Sequence, residues 1–397
     1  MIRFLKKTDF MNFKKIFTFI YFNKCACLIL LFILAVIMRF VFINIQGGFS
    51  AFNAADTNTY LARAKSLLSG SITSFSTLGF TLYLALIFKL FGYPSLLIIK
   101  VANILLGSLT VLVIFAVAER FYNKKTGILA ALICVFHINL LLWTGYILTE
   151  TIFLLFLSLS LLCFFRFLDD RKLSSIFVAF TMLALSGLIR SIAFLLFIPA
   201  GIWVLFISFK QRLVRYFLII IPLLILLAVP WLITSNFLSR QLNSATWKTD
   251  TIDGEILKGL LWNESGRATS GVDMRPEFLS LKITQYAGNP YEYTKLMLRK
   301  LKVYWWLFTP EMSFRHKVIN TLFFGPLYLL AVLGLIFSRP VRAKAVFLLS
   351  FICVFTLASM IGVVDYDLRY HLPVEILMNI FSAYGAIILL AKIRKNM

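Results

Sequence analysis

Negative charge is scarce in this chain. Seventeen Asp and Glu stand against 40 Lys and Arg, for a formal net charge of +23, and there are only three histidines. In a soluble protein that excess would be the footprint of a nucleic-acid partner. Here the basic residues fall between apolar runs, so they read as topology signals and no nucleic acid is expected. Five cysteines (Cys25, Cys27, Cys134, Cys163 and Cys353) lie in or beside apolar segments, with no C-x-x-C pair and no histidine cluster nearby. They exclude a disulfide framework and a sequence-evident metal site. Walker and Rossmann fingerprints and internal repeats are also missing. The apolar runs hold almost no ionisable residues, whereas an ion or proton transporter keeps them near the midplane at about 3 kcal/mol each on insertion scales.

What is plentiful is apolar surface. Of the 397 residues 60% are hydrophobic and 41 are phenylalanine, with a mean hydropathy of +0.89. A water-soluble domain of this size has no core large enough for them. The expected class is therefore an all-α polytopic membrane protein. A span needs about 20 apolar residues, and suitable runs lie near 25–45, 95–118, 126–143, 150–168, 173–190, 191–209, 214–234, 318–337, 345–364 and 373–391. That gives about ten transmembrane helices with both termini on one side. The run to Ile43 follows the basic residues Arg3, Lys6, Lys7, Lys14 and Lys15; it is too long for a signal-peptide core and lacks a small-residue cleavage site, so it is expected to remain as the first span.

Loop charge orients the bundle. Arg120 with Lys124 and Lys125, Arg166 with Arg171 and Lys172, Lys210 with Arg212 and Arg215, Arg339 with Arg342 and Lys344, and Lys392 with Arg394 and Lys395 all fall on the side of the N-terminus. By the positive-inside rule that side is cytoplasmic. The other side receives 47–94, the turn around 143–149, the long segment 235–317 and the turn "DYDLRYHLP", and with them Asp56, Glu150, Asp253, Glu264, Asp273, Asp365 and Asp367. Three regions follow: a transmembrane module 1–234 that includes the outer loop 47–94, an extracytoplasmic loop 235–317, and C-terminal spans 318–397.

Two outer stretches read as interfacial helices. In "AADTNTYLARAKSLLSG" Asp56 is placed to N-cap a helix whose apolar stripe is Leu61, Ala64, Leu67 and Leu68, ended by Gly70. Further on, "YEYTKLMLRKLKVYWWLF" reads as a basic amphipathic helix, with Lys295, Arg299, Lys300 and Lys302 near phosphate headgroups and Leu296, Leu301 and Trp305 toward acyl chains. Trp305 and Trp306 read as interfacial anchors, Asp365 and Asp367 as a solvated turn, and His137 as a buried structural group.

The segments "DTNTYLARAKSLLSG", "YLALIFKLFG", "VANILLGSLTVLVIFAVAERF", "LLWTGYILTETIF", "SGLIRSIAFLLFIPAG" and "LRYHLPVEI", in that order and topology, resemble the GT-C membrane glycosyltransferases of the family-39 group. That group includes protein O-mannosyltransferases and the lipid A aminoarabinose transferase. The resemblance implies Asp56 as catalytic base, Glu150 as a second catalytic acid at the start of the fourth span, and Arg190 and Arg369 with Tyr370 and His371 at the donor phosphate. Tyr60, Arg63 and Lys89 are further candidate substrate contacts. Asp56 is followed by Thr57 where the O-mannosyltransferases carry Glu. No cofactor is required by the pattern, although a divalent cation (Mg or Mn) shared by Asp56 and Glu150 is a candidate.

The function this implies is inverting transfer of a sugar from a polyprenyl-phosphate donor to a hydroxyl of an envelope lipid, glycan or protein, at the outer face of a bacterial plasma membrane. A carboxylate opposite the leaving group can take the acceptor proton. The alternatives are a lipid-linked sugar flippase or exporter, which needs a polar path through the spans, and a glycan polymerase or ligase. Outside the resemblance Asp56 reads as a helix cap and Glu150 as a first-turn acid favoured by the helix dipole.

Overall fold

A computed structural model describes residues 23–52, 54–71, 77–211, 290–308, 312–362 and 369–396. Among these every regular element is helical. The chain is an all-α, multi-span membrane protein. Among the described residues six helices are long and apolar enough to cross a bilayer: α1 (Lys24–Ile45), α4 (Leu96–Phe121), α7 (Glu150–Asp170), α11 (Phe314–Ile336), α12 (Arg342–Gly362) and α13 (Leu372–Asn396). A seventh span is broken into α5 (Lys124–Phe136) and α6 (Ile138–Gly145), bent by 52° at His137. Two shorter apolar helices, α8 (Leu173–Ile189) and α9 (Phe197–Gln211), stand at the fifth and sixth expected spans. The expected span 214–234 and the D-x-D turn lie outside the described residues. The remaining helices are α2 (Ala55–Leu68), α3 (Leu78–Phe91) and α10 (Pro290–Tyr304).

Local chemistry fixes where these helices start and stop. Asn23 caps α1 by accepting from the Ala26 amide at 3.2 Å, and Asn123 caps α5 by accepting from Thr126 at 3.0 Å, each satisfying an amide the helix itself leaves unpaired. Asp56 does not cap α2. The cap position is Ala54, and Asp56 stands in the first turn with its carboxylate turned to another helix. Gly70 does follow the end of α2, at φ +85°, a left-handed conformation that costs glycine little. Helix α2 also packs against α3, where the Tyr60 and Phe80 rings meet edge-on at 5.1 Å.

Close approach of backbones organises the C-terminal pair. A Cβ at Gly334 would strike the Phe381 carbonyl and one at Gly385 the Leu330 carbonyl, so the crossing of α11 and α13 needs both glycines. Small residues at such a crossing let dispersion replace the hydrophobic drive that lipid cannot supply.

The two ends of the bundle differ. At one end the basic loops are tied together: Lys24 pairs with Glu119, Arg120 with Asp169 and Asp170 at 3.3 and 3.4 Å, and Lys344 with Asp169 at 2.7 Å. Above them the interior is aromatic, with Phe121 against Phe165 and Phe381, and Phe164 against Phe180, Phe347 and Phe351. The polar interior lies toward the other end. Lys100 of α4 donates to the carbonyls of Phe49 and Phe52, the latter at 3.0 Å, and so holds the turn that delivers α2. Asn103, one turn on, donates to the Tyr146 carbonyl at 2.9 Å and accepts from Tyr83 at 3.1 Å, joining α3 to the link before α7.

Candidate functional site

Glu150 opens α7 with its side chain 1% exposed. A buried carboxylate needs partners, since desolvating a lone charge costs several kcal/mol. Its partners are two arginines from distant segments. Arg190, at the end of α8, donates Nη1 to Glu150 Oε1 at 2.6 Å, and Arg369, from the turn before α13, donates Nε to the same oxygen. Helix α8 stops at Arg190, whose backbone is extended at φ −140° and ψ 114°, so the side chain projects from a helix end. Arg369 also donates Nη1 to Asp56 Oδ2 at 3.0 Å. Four charges from α2, α7, α8 and the Arg369 turn thus form one network.

Exposure within this network is graded. The side chains of Glu150, Arg190 and Arg369 are 1%, 9% and 13% exposed, whereas that of Asp56 is 53% exposed. Asp56 is the carboxylate of the network that solvent reaches. Burial works against the Arg369 charge, but the neighbouring Glu150 carboxylate and the hydrogen bonds to Glu150 and Asp56 outweigh it, and the guanidinium is held above its ordinary value. Tyr60 borders the same place and hydrogen-bonds with Arg369; burial pushes its phenol up, with Arg369 opposing, so it keeps its proton. Under Arg190 lies the Tyr370 ring, 4.6 Å from the guanidinium carbon, a cation–π contact that orients the fork.

The other expected site residues are placed differently. His371 is turned into the bundle, 1% exposed, with Nδ1 3.3 Å from Glu375 Oε1 and 3.4 Å from the Tyr328 hydroxyl. Two residues beyond Arg369, it is turned toward Glu375 at the start of α13. Arg63 donates to the Thr77 hydroxyl at 3.3 Å. Lys89 is exposed in the last turn of α3, about 16 Å along the axis from Leu78 at 1.5 Å per residue, and belongs to the helix's other end. In the basic helix α10, Lys302 is exposed and lies over the Trp306 ring at 5.3 Å, while Tyr304 is buried and donates to the Tyr370 carbonyl at 3.3 Å.

A cation shared by Asp56 and Glu150 does not fit this arrangement. Arg369 touches both carboxylates, and a divalent ion between them would have to displace its guanidinium. Among the described residues no group of three or more His, Cys, Asp or Glu is disposed to hold a metal.

The bundle also buries charged groups that the hydropathy reading passed over. Arg39 of α1 is 1% exposed. Glu375 of α13 is 2% exposed; it accepts from Asn139 at 2.7 Å and lies 3.8 Å from His137 Nε2. The only trace of them in the sequence is a lone charged letter inside an apolar run.

The site is thus a buried carboxylate clamping two arginines, with a second, solvent-facing carboxylate beside them, at one end of a helical bundle. Residues 76–233 match the family described as dolichyl-phosphate-mannose-protein mannosyltransferase. Over that stretch the chain is similar to the GT-C membrane glycosyltransferases, and the match supports a glycosyltransferase that uses a polyprenyl-phosphate-linked sugar. No curated protein matches it. The matched region contains Glu150 and Arg190; Asp56 and Arg369 lie outside it and reach the pair through the fold.

Proposed function

We propose that the chain transfers one sugar, with inversion, from a polyprenyl-phosphate donor to a hydroxyl of an envelope lipid, glycan or protein at the extracytoplasmic face of a bacterial plasma membrane. The observation that carries this reading is Arg369, which bridges the exposed carboxylate Asp56 and the buried carboxylate Glu150. Positive loops at the far end of the bundle support cytoplasmic termini and an outward-facing site.

In this mechanism Arg190 and Arg369 bind the donor phosphate. A guanidinium offers five N–H groups in a planar fork that matches phosphate oxygens. Glu150 holds both forks in position. Asp56 accepts the proton of the acceptor hydroxyl as its oxygen attacks C1 from the face opposite the phosphate. The C1–O bond to phosphate breaks, its electron pair stays on the departing polyprenyl phosphate, and the sugar leaves inverted. Tyr60, whose proton burial retains, is not the base. A path for flipping a lipid-linked sugar has little support, because the interior toward the basic end is packed with Phe121, Phe164, Phe165, Phe347 and Phe381.

The test is Asp56→Asn, an exposed and nearly isosteric change. The variant should reach wild-type yield and thermal stability while transfer of sugar from a polyprenyl phosphate falls by roughly a hundredfold or more. A folded Asp56→Asn protein working at the wild-type rate removes Asp56 as base. Mass spectrometry of envelope lipids, polysaccharides and glycoproteins with and without the gene identifies sugar and acceptor.

A further inference from the structure

Glu150 also lines a cavity of about 20 Å³, together with residues that include Arg39, Thr110, Trp143 and Thr144. That is room for about one water molecule, and water occupies such a space when two to four polar partners face it. Arg39 forms no ion pair with any described carboxylate. Its Nη1 donates to the Ala35 carbonyl at 3.2 Å, and its buried Nε has no hydrogen-bond partner. The buried Nε1 of Trp143 has none either. Both threonine hydroxyls spend their protons on their own helices, Thr110 on Leu106 at 3.0 Å and Thr144 on Leu140 at 2.6 Å, so each presents lone pairs to the cavity. Glu150 Oε2 takes only a long 3.4 Å bond from Thr149.

Two unpaired donors thus line the same one-water cavity as three oxygens that have lone pairs to spare. The matching ligand is neutral, accepts two hydrogen bonds and donates two. A small anion would meet the lone pairs of Thr110 and Thr144 and the Glu150 carboxylate. Gly107 is what admits the guanidinium, since a Cβ there would lie 2.8 Å from Arg39 Nε and 3.1 Å from Thr144 Oγ1.

We propose that one ordered water in this cavity links Arg39 Nε and Trp143 Nε1 to Thr144 and Glu150 Oε2, making Arg39 a positioning residue for the carboxylate that clamps Arg190 and Arg369. Its functional consequence rests on the proposed donor site; the water itself does not. Arg39 touches no substrate. It acts by fixing Glu150, and through Glu150 the two phosphate-binding forks.

The experiment has two arms. A high-resolution map of the full chain in lipid nanodiscs should show one water between Arg39 and Glu150 in the wild type and none at that position in Thr144→Val, which keeps the charge and nearly the volume while removing an acceptor. Separately, decaprenyl phosphate binding and donor KM should each weaken roughly tenfold in Arg39→Gln, as expected for the loss of a charge-assisted contact, with Arg39→Lys recovering most of the loss. Thr144→Val should move in the same direction if Arg39→Gln cannot be purified. An empty wild-type cavity overturns the proposal, and so do folded Arg39→Gln and Thr144→Val proteins that bind like the wild type. Wild-type protein that shows the water but does not bind decaprenyl phosphate refutes the donor reading and leaves the Arg39–water–Glu150 link standing.

Discussion

Glu150→Gln is the perturbation from which most can be learned. Glu150 accepts from Arg190 at 2.6 Å and from Arg369 through the same oxygen, and its side chain is 1% exposed. Glutamine keeps the shape and one acceptor oxygen but removes the charge, leaving two guanidinium groups facing a neutral amide. Two charge-assisted hydrogen bonds contribute about 1.5–3 kcal/mol each, and breaking a buried pair from one side costs about 3–5 kcal/mol. The two figures agree, and because Arg190 and Arg369 are only 9% and 13% exposed, solvent screening reduces them little. On soluble-domain scaling this corresponds to a fall in Tm of roughly 6 to 20 °C.

Transfer should fall further than stability implies, because misplacing a phosphate-binding fork by about 1 Å costs on the order of a hundredfold. The assay pairs thermal unfolding in detergent with sugar transfer below the variant's Tm, for Glu150→Gln, Arg190→Gln and the double variant. In the double variant one uncompensated charge is gone, so its loss should be smaller than the sum of the single losses. Strictly additive losses, or a Glu150→Gln protein as stable as the wild type, would refute the account of Glu150 as the clamp.

The remaining expectations are more local. Gly385→Ala places a Cβ against the Leu330 carbonyl and should prevent α11 and α13 from closing, read as loss of monodisperse protein on size exclusion; Gly201→Ala, where a Cβ meets nothing within 4 Å, should be silent. Tyr60 has its phenol pushed above the ordinary 10.0 by burial, so its contribution is complete below pH 10 and is lost as pH rises beyond it. Wild-type protein should therefore lose stability above pH 10 faster than Tyr60→Phe, by roughly 1.4 kcal/mol per pH unit at most, measured as Tm against pH for the two proteins. Arg369 is raised above its own ordinary value and should stay charged throughout that range.

Hydropathy made the membrane class legible because span length is set by bilayer thickness, a constraint the letters carry directly. Loop charge separated the two ends for a similar reason: lysines and arginines exposed in short links need no fold to be counted. Placement by face was not legible. Asp56 precedes an apolar stripe and reads as a cap, yet Ala54 takes that position and the carboxylate crosses to Arg369, a partner 313 residues away. Arg369 and His371 are two apart, and entry into α13 sends one to the network and the other to Glu375. Arg39 and Glu375 were diluted by apolar neighbours in any window average, although one buried charge in a span is a stronger signal than the average suggests. His137, read as a structural buried group, is buried and marks the bend between α5 and α6, while Asn139 just beyond it holds Glu375.

Charge counting links the network to the proposed reaction. Asp56, Glu150, Arg190 and Arg369 sum to zero in the unliganded site, so a donor phosphodiester enters with one negative charge and finds two guanidinium forks already aligned by Glu150. As the acceptor proton moves to Asp56, that carboxylate becomes neutral and its hold on Arg369 Nη1 weakens, while the departing polyprenyl phosphate gains the charge that Asp56 has lost. One unit of negative charge thus passes from one side of Arg369 to the other without a change in the total. Arg369 can follow it by turning its fork from Asp56 to the phosphate while Nε stays on Glu150, which is stabilisation that grows as the C1–O bond breaks. A lysine at 369 keeps the charge but has no planar fork with which to touch both carboxylates. Arg369→Lys should therefore bind donor to within a few-fold of the wild type yet lose kcat by roughly a hundredfold, in single-turnover transfer at saturating donor. Equal losses in binding and kcat would mean that Arg369 contributes only ground-state attraction, and this account of its role would fail.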